Sequence, residues 1–466
     1  MAVDASRAPA ADARSFLIRR PLGVMTGLPG AASRAGSVDI RVVDGMIAAV
    51  GKLEPLPAER IVDASGCVVY PGWVNTHHHL FESVMKGVPA GINRPLLPWL
   101  DVVPLAHLRF LDERTLRLAA TIGIAELLLS GCTTIADHNY TYFPGMNFDS
   151  SQVLFDVAER MGVRFVLMRG GATRQRGSEL DAPGQARPET LDAIIDAVAS
   201  DTRRFHDASP GSMRKMVMAP TTPTWSVLPH EMRELARAAR RLGIGLHTHL
   251  SETADYVRYC REVHDCLPVE FVGRCEWLGP DVWFAHMVHV SPPEIAMLAS
   301  TGTGIAHCVQ SNCRLGSGIA PVPAYRAAGV PVTLGVDGAG SNEAADMVSE
   351  AHAVWLVHRA RDGAAATTVD DVIHWGTRAG ARMMGFGDVG VIAPGFAADI
   401  AIHELDQLRH AGLHDPLIGP VASAGAPTLR HLFCAGRGVV EHGRIPGLDL
   451  SGLLAEARSA VAGMLA

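Results

Sequence analysis

Four apolar stretches of this sequence each stop on residues that can bind a metal ion or move a proton, and this recurrence limits the possible folds more than any other feature. They are Val74-Asn75-Thr76-His77-His78-His79, Leu246-His247-Thr248-His249-Leu250-Ser251-Glu252, Trp283-Phe284-Ala285-His286 and Val332-Thr333-Leu334-Gly335-Val336-Asp337-Gly338. Singly, each has an ordinary alternative: a histidine-rich turn, a half-buried histidine, a helix-start carboxylate at Glu252, a turn-forming Asp-Gly at Asp337. Four such clusters at the ends of four apolar strands point instead to a parallel barrel, which collects its chemistry at the carboxyl ends of its strands.

The rest of the chain has the organisation such a barrel needs. Between about Gly72 and Gly387 apolar strands alternate with helical runs, such as Glu113 to Leu129, followed by Gly131 and the strand Thr133-Thr134-Ile135-Ala136, and Glu231 to Leu242. This βα alternation predicts a parallel sheet, and eight units predict a closed (β/α)8 barrel. Short strands cluster at both ends of the chain. Val38 to Val42 and Met46 to Val50 flank Asp44-Gly45, a hairpin signal, and Cys67 to Tyr70 follows. Near the carboxyl terminus lie Ile400 to Ile402, Leu432 to Gly436 and Gly438 to Gly443. A small β-sandwich built from residues 1–70 and 388–466, the latter with a terminal helix, around a barrel of 71–387 is the expected α/β architecture. An independent N-terminal binding module is the alternative. The stretch Arg174 to Lys215, with Gln175, Arg176, Gly177, Pro183 and Gly184 near its start, reads as a long strand-to-helix insertion placed to cap the site.

Composition narrows the function. The 466 residues are 48% hydrophobic and 19% charged, with net charge -7 and dispersed Lys and Arg, so nucleic acid is not an expected partner. Eight cysteines occur without a Cys-x-x-Cys pair, which predicts free thiols in a reducing compartment. Met1 to Arg20, with charges at Asp4, Arg7, Asp12 and Arg14, lacks an apolar signal core, and no stretch reaches the roughly 20 apolar residues of a membrane span. A cytoplasmic protein with no membrane partner is expected.

Along a strand, side chains alternate faces, so His77 and His79 share one face about 7 Å apart at a rise of about 3.3 Å per residue, and His78 faces away to be packed or hydrogen-bonded in the barrel wall. Three imidazoles and one carboxylate suit zinc or a similar divalent ion.

The order Asn75-Thr76-His77-x-His79, His249-Leu250-x-Glu252, Ala285-His286, Gly335-Val336-Asp337-Gly338 resembles the amidohydrolase superfamily, in the branch of mononuclear-metal deaminases of purines, pterins and aminotriazines. The likeness includes Ser130 to His138, His307-Cys308-Val309-Gln310-Ser311-Asn312 with Gly316 to Pro321, and Pro394 to Ile400. Asp137 to Met146, Leu167 to Thr173 and Gly412 to Pro416 are similar to the group that deaminates isoxanthopterin, with 8-oxoguanine deaminases next. That resemblance implies one Zn2+ per subunit, with Fe2+ the alternative, held by His77, His79, His249 and Asp337. His249 is chosen over His247 by its position before Leu-x-Glu.

The resemblance further implies that Asp337 and His286 orient and deprotonate a water, that Glu252 protonates a ring nitrogen, and that Asp337 passes the other proton to departing ammonia. The implied partners are a small heterocycle and water, in a homo-oligomer. Glu82, Trp99 and Arg169 are the candidate ring-holding residues, with packing and a structural ion pair the ordinary alternatives for Trp99 and Arg169. Relatives carry glutamine where this chain has Glu82, a change from donor-acceptor to acceptor when ionised. The expected reaction is deamination of a bicyclic 2-amino-4-oxo ring, isoxanthopterin first and 8-oxoguanine or guanine second. The alternatives are an s-triazine amino- or chlorohydrolase and a non-catalytic binding protein on the same barrel.

Overall fold

The computed structural model describes residues 14–174, 188–423, 425 and 429–465. Eight parallel strands run in sequence order around a barrel: β1 (Trp73–Asn75), β2 (Cys132–Asn139), β3 (Arg164–Arg169), β4 (Arg214–Met218), β5 (Gly245–Leu250), β6 (Val282–His286), β7 (Gly304–His307) and β8 (Val332–Leu334). The strands are rich in β-branched and aromatic residues and almost entirely buried, as expected where helices cover the outer face. Val74, Ala136, Val166, Met168, Val217, Trp283 and Ala306 belong to one buried cluster, and the Trp283 indole donates to the Thr76 carbonyl at 3.2 Å.

The first and last strands meet just beyond the end of β1. Thr76 N donates to Leu334 O at 3.0 Å and Asp337 N donates to His77 O at 3.0 Å, so closure of the barrel sets His77 beside Asp337. Gly335 permits this approach, because a Cβ there would lie 2.7 Å from the His77 Cβ. The Asn75 side chain accepts from Val336 N at 3.0 Å and ties the same seam.

Helix α1 (Glu113–Leu129) shows why the helical stretches stop where they do. Asp112 caps its first turn by accepting from Thr115 N at 2.7 Å, and Gly131, at φ +90°, turns the chain into β2. Helix α2 (Leu191–Phe205) shortens the expected strand-to-helix insertion at its far end, because Lys215 lies within β4. Its apolar residues Ile194, Val198 and Phe205 recur at helical spacing, a signal masked by the glycine and proline upstream. Gln175, Arg176, Gly177, Pro183 and Gly184 fall outside the described residues, as do Asp4, Arg7 and Asp12.

Two further sheets pack beside the barrel, one of N-terminal strands and the other assembled from both ends of the chain. One has the order Met46–Gly51, Asp39–Val43, Phe16–Arg19, Ile61–Asp63, and the other Arg437–Glu441, Leu429–Cys434, Ile400–Glu404, Cys67–Pro71, Gly23–Met25, Arg34–Ala35. Cys67–Pro71 pairs antiparallel with Ile400–Glu404, so the N-terminal strands do not form a separate module. Phe16, Ile18, Val69, Ile400 and Phe433 lie in a shared apolar core, with the rings of Phe16 and Phe433 4.3 Å apart. All eight cysteines are free and only Cys313 is exposed. Among the described residues no helix is long and apolar enough to cross a membrane.

Candidate metal centre and active site

Strand β1 ends at Asn75, so His77 and His79 project from the extended segment beyond it, not from alternate positions of a regular strand. They nevertheless converge. The ring centroids of His77 and His79 are 4.8 Å apart, and His249, at the end of β5, lies 4.9 Å from His77 and 5.2 Å from His79. Asp337 Oδ1 is 3.3 Å from both His77 Nε2 and His79 Nε2. His78 is buried on the other side, its Nδ1 hydrogen-bonded to the Asp337 main-chain carbonyl.

The hydrogen bonds around these rings determine which nitrogens carry protons. A carbonyl oxygen only accepts, so His79 Nδ1–H donates to His138 O at 2.7 Å and His249 Nδ1–H donates to Thr221 O at 2.6 Å. His247 Nδ1–H donates to Trp283 O at 2.9 Å, which leaves His247 Nε2 as the acceptor for His77 Nδ1–H, also at 2.9 Å. His77 and His79 therefore direct Nε2 toward Asp337, and His249 directs Nε2 toward His79. His247 acts behind His77 and sets its tautomer.

This donor set fits a divalent cation. His77 Nε2 is buried without a hydrogen-bond partner, and His79 Nε2 and His249 Nε2 approach to 3.1 Å. At that separation the two nitrogens need either a proton on one of them or a cation between them. Burial holds His77 down to about 3 and His249 well below the usual imidazole range, so both stay neutral, as metal ligands must be. At His79 burial also pulls downward, but Asp337 and Glu82 outweigh it and raise the ring to about 9, so positive charge is favoured at this spot. His77, His79 and Asp337 form one potential ligand group, and His77, His249 and His286 form another.

The centre lies at the inner end of a cavity of about 260 Å³, lined in part by Glu82, Trp99, Tyr140, Trp225, Glu252 and Tyr256. Glu252 follows β5 and His286 ends β6, with His286 Nε2 3.6 Å from Glu252 Oε2. His286 Nδ1–H donates to Asn312 Oδ1 at 3.0 Å, so its Nε2 lone pair faces Glu252 and the histidine cluster. Burial pushes Glu252 above the usual carboxylate range, and His286 beside it opposes that shift. Asp337 is also pushed upward by burial, but the His77 and His79 rings at 3.3 Å hold it well below the usual range as a carboxylate. His286 and Asp337 have φ of +71° and +65°, left-handed backbone that costs about 1–3 kcal/mol per residue and recurs where a site over-determines its geometry.

The three candidate ring contacts lie in different surroundings. Trp99 is buried in the cavity wall and donates to Gly340 O at 3.2 Å. Glu82 lines the cavity, its Oε1 accepting from the Tyr140 hydroxyl at 3.0 Å and its carboxylate also meeting the Gly340 main-chain N–H. Gly338 makes room for it, since a Cβ there would be 2.0 Å from Oε2. Burial pushes Glu82 up to about 7. Arg169 does not line the cavity. Its guanidinium forms two 2.7 Å bonds to Glu189 and stacks 3.9 Å from the Tyr142 ring, the structural ion pair that a sequence cannot distinguish from a substrate contact. Tyr140, Asn75 and Asn312 were not among the candidates. A run such as Ser311-Asn312 after an apolar strand is the available signal for the last of these.

A profile of the amidohydrolase family matches residues 68–439. The chain is 54% identical to an isoxanthopterin deaminase of an unknown prokaryotic organism, over 97% of each chain. It is 38% identical to an 8-oxoguanine deaminase of Pseudomonas aeruginosa, over 96% of this chain and 99% of that one. The crystal structure of an atrazine chlorohydrolase from Arthrobacter aurescens TC1 complexed with zinc superposes with a TM-score of 0.89 at 27% identity, covering 96% of this chain and 100% of that one.

Proposed function

The chain belongs to the amidohydrolase family, and on that premise we propose that it is a hydrolytic deaminase of a bicyclic 2-amino-4-oxo heterocycle, with isoxanthopterin the first substrate and 8-oxoguanine the second. The observation that carries this reading is the grouping of Glu252, His286 and Asp337 around the histidine Nε2 atoms at the inner end of an aromatic-walled cavity. Likeness to the two named deaminases supports the substrate class.

In this reading His77, His79 and His249, through Nε2, and Asp337, through Oδ1, hold one divalent ion of the zinc type. When bound, such an ion lowers the pKa of a coordinated water from about 15.7 to about 7 and so supplies a nucleophile at neutral pH. His286 Nε2, its lone pair turned into the site by Asn312, orients the water and helps remove its proton. The attack is on the ring carbon that bears the amino group. Glu252 delivers its proton to the adjacent ring nitrogen, which would otherwise carry the developing negative charge. Asp337 takes one proton from the water and returns it to the amine, and the second water proton passes back to Glu252 as the carbonyl forms and ammonia leaves. Each positioned acid or base of this kind contributes about 10² to 10⁴-fold in rate.

The Glu82 carboxylate, which lines the cavity, is suited to accept from the N–H and amino groups along one edge of the ring, and Trp99 provides a wall against it. With every cysteine free, a reducing, cytoplasmic setting suits the protein. The test is ammonia release from a substrate panel by protein of measured metal content. Isoxanthopterin or 8-oxoguanine should lead, with little release from adenine, cytosine or an aminotriazine. A monocyclic triazine as the best substrate would overturn the substrate class.

A further inference from the structure

The three proposed proton-transfer groups come from three different strands, yet one segment after a fourth strand touches each of their hydrogen-bond networks. This segment is helix α3 (Val309–Arg314), which follows β7, with the turn to Ser317. Ser311 Oγ donates to Ser341 Oγ at 2.9 Å, and Ser341 Oγ lies 3.4 Å from Asp337 Oδ2 and 3.1 Å from Gly338 O. Asn312 Oδ1 accepts from His286 Nδ1–H at 3.0 Å. Ser317 Oγ lies 3.3 Å from Glu252 Oε1, on the side of the carboxyl away from His286. All three are buried, and none lines the cavity.

The segment is itself firmly held. Glu350, fully buried on helix α4 (Met347–Asp362), accepts from Val309 N at 2.6 Å and from Gln310 Nε2 at 2.8 Å, and so satisfies the start of α3. At its other end Ser317 N donates to Asn312 O at 2.9 Å, and the His289 ring donates to Ser317 O, also at 2.9 Å.

We propose that Asn312 and Ser317 are positioning residues for the deamination, fixing respectively the tautomer of His286 and the orientation of Glu252. The inference rests on the proton-transfer roles assigned above. Its physical basis is a contrast among the imidazoles. His79, His247 and His249 each donate Nδ1–H to a main-chain carbonyl, which suits rings that keep one state throughout. His286 must gain and lose a proton at Nε2, and its Nδ1–H is held by a neutral side-chain amide, at a residue whose left-handed backbone takes it out of the regular strand. Without that acceptor the ring is free to turn or to carry its proton on Nε2, where it cannot act as a base.

The test compares Asn312→Leu, which keeps the side-chain size but has no acceptor, with Asn312→Asp, which keeps one, in metal-loaded protein assayed with isoxanthopterin and 8-oxoguanine. Loss of a buried group of this outer-shell kind costs about 10 to 100-fold. Asn312→Leu should lower kcat by about that factor, with KM changed less than about threefold and metal content unaltered, and Asn312→Asp should recover most of the loss. Ser317→Ala should lower kcat about 3 to 10-fold at unchanged KM and metal content, with recovery in Ser317→Thr. This second pair decides the matter if the Asn312 variants do not fold. Unchanged kcat in Asn312→Leu or Ser317→Ala, or equal loss in both members of a pair, overturns the inference. His286→Asn and Glu252→Gln are measured alongside. If these two keep normal kcat, the proton-transfer reading itself is wrong; if they lose it while Asn312→Leu and Ser317→Ala do not, only the present inference falls.

Discussion

The buried ion pair between Arg164 and Asp399 should be the connection on which attachment of the terminal sheets to the barrel most depends. Arg164 opens β3, at the end of the barrel opposite the candidate site, and Asp399 immediately precedes the strand Ile400–Glu404. Both side chains are 0% exposed, with Nε to Oδ2 at 2.9 Å and Nη2 to Oδ1 at 3.1 Å. Asp399 Oδ1 also accepts from Ala435 N at 2.8 Å, while Arg164 Nη1 donates to Gly211 O and Ser212 O. Asp399→Ala therefore strands a buried guanidinium and an amide hydrogen together. Breaking a buried pair by removing one partner costs about 3–5 kcal/mol. The double variant Arg164→Met, Asp399→Asn removes the charge and keeps an acceptor for Ala435 N, so it should be more stable than Asp399→Ala alone. Urea unfolding and the rate of thermal inactivation measure both, and kcat per metal-loaded folded chain should be unchanged. A loss below about 1 kcal/mol for Asp399→Ala, or a double variant weaker than the single one, would refute the reasoning.

Replacing His79 or Asp337 with Ala should abolish activity and lower bound metal below one ion per chain; full occupancy by elemental analysis in both variants would remove the basis for these ligands. Glu252→Gln keeps the size of the side chain but cannot deliver a proton, so kcat should fall about 10²-fold or more at normal metal content. Glu82→Gln should change the ranking among bicyclic substrates, since an unpaired buried polar group costs about 1–3 kcal/mol. An unaltered ranking would mean that Glu82 does not touch the ring.

Much of this architecture can be read from the sequence because local signals and tertiary requirements agree. Helix α1 is bounded by a capping Asp112 and a turning Gly131, and Asp44-Gly45, both at positive φ, forms the hairpin its composition predicts. The gathering of His77, His79, His249, Glu252, His286 and Asp337 follows from the rule that barrel chemistry lies at strand ends. What was not legible depends on partners distant in sequence. Periodicity alone extends β1 through His79, whereas barrel closure by Thr76 and Asp337 ends it at Asn75. Arg169 reads equally well as a ring contact until Glu189 is found beside it. Asn312 takes on meaning only once β6 and β7 are adjacent and His286 lies within reach.

Hydrolysis of isoxanthopterin in ¹⁸O-labelled water by the metal-loaded enzyme tests the central claim most directly. The account predicts one ammonia per turnover and a product with the ring intact and one ¹⁸O at the carbon that carried the amino group. A product heavier by a whole molecule of water, from ring opening, or no ammonia from either isoxanthopterin or 8-oxoguanine, would contradict it.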